Sequence, residues 1–103
     1  KINNIKYKKD LIIFSNKIRE IKSSNIFDID FLNKNVFRSV DYDVVDLILI
    51  GTGNKYQEIP NKMKKYFIDN HLKHEVMTSL SAYKTYNILL TEGRKIISLL
   101  KIL

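Results

Sequence analysis

A chain of 103 residues carrying a net charge of +7 at pH 7 and no cysteine has room for one domain with a core of its own. The missing cysteine excludes disulfides, thiolate metal ligation and a cysteine nucleophile. Apolar runs such as Leu47-Ile48-Leu49-Ile50 stop far short of the roughly 20 residues a membrane-spanning helix needs, so the chain reads as soluble, with no transmembrane segment.

The charge invites a nucleic-acid reading, because clustered cations neutralise phosphates. Its make-up argues against one. Of 18 basic residues 15 are lysine, and only Arg19, Arg38 and Arg94 offer the bidentate fork that base and phosphate recognition favours. Ile, Lys and Asn together account for 41 residues while Ala occurs once, the pattern that codon drift in an A+T-rich genome produces with no selection for a partner.

In chain order, short strands are expected over residues 2–7, 11–14 and 17–21, a β-meander broken at Lys8-Lys9-Asp10 and at Ser23-Ser24-Asn25. Residues 25–31 alternate unevenly, and a short helical turn is expected within 35–40. Leu47-Ile48-Leu49-Ile50 is uniformly apolar and ends at glycine, as a strand covered on both faces would, and is expected to be the central strand. Pro60 suits a helix start, and Met63, Tyr66 and Phe67 fall on one side of about three turns while Lys62, Lys64, Lys65 and Asp69 face out. His74-Glu75-Val76-Met77 fits a short strand. Thr78 or Ser79 then supplies a hydroxyl cap to a helix whose stripe is Ala82, Tyr83, Tyr86, Leu89 and Leu90. Gly93 belongs at a left-handed C-cap, and residues 95–102 read as a last strand, with a closing helix as the alternative. The second half is thus β-α-β-α-β, with its first two strands parallel.

Chemistry is sparse. Gly51-Thr52-Gly53 lacks the third glycine of a dinucleotide fingerprint, Tyr56 standing in its place, and no triphosphate-binding loop exists. What remains is a turn of amides at the carboxyl end of a strand, either a plain corner or a small-anion site. His71 and His74 have metal-pair spacing, but a helix end and a strand start give them no common direction, so both read as surface residues. Asp41, Asp43 and Asp46 lack the glycine and terminal glutamate of a calcium loop. Ser15, Ser79 and Ser81 have no nucleophile-elbow context, and no acid–base pair is nominated by spacing. Tyr86, Asn87 and Arg94 stand out: asparagine is poor inside a helix, and Arg94 is rare in a lysine-saturated chain. A plain role for them is that Asn87 ties the helix to neighbouring backbone and Arg94 complements the helix C-terminus.

GTG (51–53), Pro60, EVM (75–77), Ala82, TYN (85–87), Leu89 and EGR (92–94) closely resemble a family of small α/β domains, the Mth938-like or DUF498 family. It includes mitochondrial complex I assembly factor 3, an adipogenesis-associated Mth938 domain-containing protein and many uncharacterised bacterial and archaeal proteins. The resemblance is strong over residues 46–103 and limited to a strand-rich lead-in over 1–45, within a single domain spanning 1–103. It implies a three-layer architecture with a mixed sheet flanked by helices, and no established catalytic activity or cofactor. Relatives usually carry Asp-Thr where this chain has Thr78-Ser79, and a glycine commonly found between the preceding helix and strand is replaced around residues 70–72.

The resemblance therefore implies a non-enzymatic interaction or assembly protein whose partners are respiratory-complex subunits or assembly factors, with nucleic acid disfavoured. The alternative is a small-molecule or anion-binding protein, or an enzyme, using the Gly51 to Gly53 turn and Arg94. Gly51, Thr52, Gly53, Ser79, Tyr86, Asn87 and Arg94 are expected to converge at one end of the sheet as a pocket or docking surface. No catalytic, cofactor-binding or metal-ligating residue is nominated. A bacterial cytoplasmic location is expected, or the mitochondrial matrix had a transit peptide preceded Lys1.

Overall fold

The computed structural model describes residues 9–14, 17–22, 26–39 and 44–102. The strand expected over 2–7, the break at Ser23-Ser24-Asn25, and Ser15, Asp41 and Asp43 lie outside these residues. The elements are β1 (Asp10–Phe14), β2 (Lys17–Ile21), α1 (Ile29–Asn35), β3 (Leu47–Gly51), α2 (Asn61–Asp69), β4 (His74–Met77), α3 (Ser79–Thr91) and β5 (Ile96–Leu100).

The five strands form one mixed sheet in the order β2-β1-β5-β3-β4. β1 pairs antiparallel with β2 and β5, while β3 pairs parallel with β4 and β5. The expected parallel pair is present, and the last segment is a strand, not a helix. β3 is interior as its apolar run demands, but the middle position belongs to β5, which is buried at every residue. Strand order explains this: β4 sits at the edge beyond β3, so the return through α3 must cross back over β3. Both crossovers are right-handed only if the two helices lie on opposite faces, because the chain moves in opposite directions along the sheet.

The side chains confirm that layering. Ile12, Ile48, Ile50, Ile97 and Leu99 pack with α1 and α2 through Leu32, Met63 and Phe67. Leu11, Ile13, Leu49, Ile96 and Leu100 pack on the other face against Ala82 and Tyr86 of α3. This two-face burial is why β3 and β5 read as unbroken apolar runs, and each buried large aliphatic contributes about 1.5–3 kcal/mol. β2, by contrast, exposes Lys17, Arg19 and Glu20 and buries Ile21, as an edge strand does.

α1 departs from the expected pattern. The Asp28 carboxylate accepts from the Asp30 and Phe31 amides at 3.1 and 3.3 Å, and Ile29 and Leu32 bury one face. That cap starts a helix where the uneven alternation of residues 25–31 marks no element. The expected turn within 35–40 is a single 3-10 turn at Phe37–Ser39. Lys62 of α2 bonds Asp30 of α1 at 2.6 Å in full solvent. The hydrogen bond and charge of Asp30 raise the lysine pKa above its ordinary value. Its small contribution is complete below the ordinary lysine pKa and fades as pH rises through the raised one.

α2 follows Pro60 directly, and the Pro60 carbonyl accepts from Met63 and Lys64. At its other end His71 adopts φ +56, with its amide donating to Ile68 and that of Leu72 to Phe67, both buried together below. This is a left-handed C-cap built with histidine in place of the usual glycine. The conformation costs a side-chain-bearing residue about 1–2 kcal/mol, and glycine gives back about 0.5–1 in chain entropy. His71→Gly is therefore expected to raise stability by about 0.5–1 kcal/mol in urea unfolding; a loss would show that the imidazole itself supports the cap.

Candidate functional site

The turn after β3 is built from hydrogen bonds that begin and end within the protein. Thr52 N donates to Met77 O at 2.8 Å, and Gly53 N donates to Ser79 Oγ at 2.9 Å. Ser79 Oγ in turn donates to Lys101 O at 2.6 Å, and Ser79 N to Gly53 O at 3.0 Å. Thr52 Oγ1 donates to Lys55 O at 2.7 Å and accepts from Gln57 N at 3.1 Å, closing the following loop on itself. Gly51, Thr52, Gly53 and Ser79 are all buried. The amides expected to face a ligand at this end of the sheet are thus already paired.

Two different constraints select the two glycines. Gly53 has φ +100, where other residues are strained. At Gly51 a Cβ would lie 2.7 Å from Ser79 Cα and 2.9 Å from Leu100 Cδ2, so α3 can approach the sheet only over a bare backbone. Thr78 occupies the N-cap of α3, but its hydroxyl bonds Ser81 Oγ at 3.1 Å and no helix amide. The expected hydroxyl cap is absent, and Ser79 serves instead as a tie between the turn and the end of β5.

Arg94 lies at the opposite end. α3 runs antiparallel to β3 and β5, so its start meets their carboxyl ends and its close meets their beginnings. Gly93, at φ +77, donates to Leu90 O and Arg94 N to Leu89 O, completing the expected left-handed cap. Arg94 Nε then lies 3.5 Å from Asp46 Oδ2. The same carboxylate accepts from Lys95 N at 2.9 Å, and Asp46 N donates to Lys95 O at 2.8 Å. Here Phe14, Tyr86, Leu90, Gly93, Arg94, Lys95 and Ile96 line a cleft of about 310 Å³.

The single convergence expected of the seven residues is therefore corrected. Gly51, Thr52, Gly53 and Ser79 meet at the carboxyl ends of β3 and β5, and Tyr86 and Arg94 share the cleft at the other end. Asn87 belongs to neither group: it is exposed on α3 and makes no side-chain hydrogen bond among the described residues, so the expected backbone tie is not formed. Residue reasoning missed Asp46 as the partner of Arg94, and Lys95, Leu90 and Phe14 as cleft residues. Leu90 and Lys95 are near neighbours of Tyr86 and Arg94 in the chain, whereas strand order alone brings Asp46 and Phe14 there, and no local signal marks those two.

The family model described as a protein of unknown function, DUF498/DUF598, matches residues 1–100. The chain belongs to this family. Solved structures with its fold include a Bartonella henselae outer membrane protein, with a TM-score of 0.80 at 20% identity over 98% of this chain and 85% of that one. A Rhodopseudomonas palustris protein gives 0.79 at 18% identity over 100% and 76%. A Mth938-like domain from Bordetella pertussis gives 0.67 at 18% over 96% and 77%. No curated protein matches the chain.

At these identities the likeness is one of fold, and the DUF498 chain's own chemistry must be read from its residues. Among the described residues no group of three His, Asp or Glu is placed to hold a metal. His71 is exposed, whereas the His74 ring packs on Phe67 with centroids 4.9 Å apart, so the two share no direction and His74 is less exposed than a surface residue. No helix among the described residues is long and apolar enough to cross a membrane.

Proposed function

We propose that this chain is a non-enzymatic interaction protein, working in the manner of a respiratory-complex assembly factor through protein contacts in the bacterial cytoplasm. The observation that carries this reading is that α3, besides its sheet-facing stripe, holds two exposed apolar side chains on its otherwise polar outer side. Ala82 and Tyr86 face the sheet, yet Leu80 and Ile88 are 53% and 61% exposed on the outer side, two turns apart with Lys84 and Asn87 among them. Exposed apolar side chains in a polar surround give a partner protein anchor points, and we read this face as the one that a partner covers. The tightly bonded turn and cap that anchor α3 at its two ends support a rigid presenting surface.

The test is purification of the tagged protein from its own organism after mild crosslinking, beside the Leu80→Ser/Ile88→Ser variant, with partners identified by mass spectrometry. Both substituted side chains are exposed, so unfolding free energy should move by less than about 0.5 kcal/mol. Respiratory-complex subunits or assembly factors should accompany the parent chain and be lost from the variant. Recovery of the same proteins with both chains, or of no specific protein with a folded parent chain, overturns the reading.

A further inference from the structure

The outer face of α3 makes no use of the cleft beside Arg94, and that cleft has the makings of a separate site. We propose that it binds a small organic oxyanion with an apolar body, the head held by Arg94 and Lys95 and the body lying along Tyr86, Leu90 and Ile96. The volume of about 310 Å³ is at the lower end of the roughly 300–1,000 Å³ of small-molecule sites. Tyr86 and Ile96 are buried members of the α3-side core and Leu90 packs against it, so the apolar wall is rigid.

On the cationic side the backbone is fixed, while the side chains of Arg94 and Lys95 reach into solvent. Gly93 and the two cap hydrogen bonds set the direction of the chain, and the bonds from Asp46 N to Lys95 O and from Lys95 N to the Asp46 carboxylate hold the backbone of the Arg-Lys pair between α3 and β3. Asp46 engages only the Nε edge of the guanidinium, at 3.5 Å. Among the described residues the Arg94 terminal nitrogens and the Lys95 ammonium have no further hydrogen bond or ion pair. A planar guanidinium paired only on its Nε side leaves its terminal nitrogens as the fork that oxyanions bind in two places. Asp46 offsets one of the two positive charges and orients the arginine, leaving the site net cationic.

A carboxylate and a phosphate monoester satisfy the same fork, and the measurement distinguishes them. Amide chemical-shift titrations of the whole chain would use hexanoate, hexyl phosphate, inorganic phosphate and hexanol as probes. At least one of the two amphiphilic anions should shift the amides of residues 93–96 and bind at least tenfold more tightly than inorganic phosphate or hexanol. The stronger of the two identifies the head group. Arg94→Gln keeps the backbone donor to Leu89 and should weaken that probe by tenfold or more, Lys95→Gln should weaken it less, and Lys84→Gln on the outer face should leave it unchanged. Absence of shifts with both amphiphilic anions, equal affinity for inorganic phosphate, or indifference to Arg94→Gln would overturn the proposal. None of these outcomes bears on the α3 docking surface, whose apolar residues Leu80 and Ile88 are untouched.

Discussion

Gly51→Ala is expected to be the most damaging small substitution in the protein, costing about 3 kcal/mol, the upper end of the overpacking range. Gly51 ends β3 between Met77 of β4 and Leu100 of β5, and its carbonyl accepts from Lys101 N at 3.0 Å. The new methyl would lie 2.7 Å from Ser79 Cα and 2.8 Å from Ser79 Oγ. The first of these atoms is backbone, so no rotamer change relieves the contact and α3 itself must move. Gly93→Ala makes the right comparison. Its φ of +77 strains any side chain, yet an added Cβ meets nothing within 4 Å, so only the conformational cost of about 1–2 kcal/mol applies. Thermal unfolding separates the two: Gly51→Ala should lower Tm by more than about 10 °C, well beyond the shift for Gly93→Ala. Equal shifts would show that α3 does not press on the end of β3.

That contrast also explains what the sequence reveals and what it hides. β3, α2, β4, α3 and β5 are legible because local chemistry marks their ends: Gly51 after four aliphatics, Pro60 before a helical stripe, Gly93 after another. α1 is hidden because its Asp28 cap sits inside an alternating run, and seven residues give helical spacing too few turns to declare itself. The place of β5 in the middle of the sheet is set by the crossover through α3, a property of chain path that no window of residues contains. The candidate site fails in the same way. Gly51 and Arg94 both stand out as residue types, yet only the antiparallel run of α3 against the strands puts them at opposite ends. Residue chemistry and family resemblance together supplied the residue set, and geometry divides it into a structural joint and a cleft.

If the joint is structural, its energy should reside in Ser79 and not in the cap position beside it. Ser79→Ala removes the acceptor of Gly53 N and the donor to Lys101 O, both inside a buried cluster, and should cost about 1–3 kcal/mol. Thr78→Ala removes only a hydroxyl bonded to Ser81 Oγ in an exposed position and should cost less than about 0.5 kcal/mol, although helix caps of this type are ordinarily worth about 1 kcal/mol. Equilibrium urea unfolding of the two variants decides the matter. A greater loss from Thr78→Ala would mean that the helix is held by conventional capping and that the Gly53–Ser79–Lys101 chain of bonds is incidental. The expected order has a functional corollary. Since Ser79 ties the carboxyl ends of the strands and Arg94 lies at their beginnings, Ser79→Ala at a temperature where it remains folded should leave oxyanion binding at the Arg94 cleft unchanged. Stability and binding then vary independently, as they must where the turn after β3 serves only to hold α3 on the sheet.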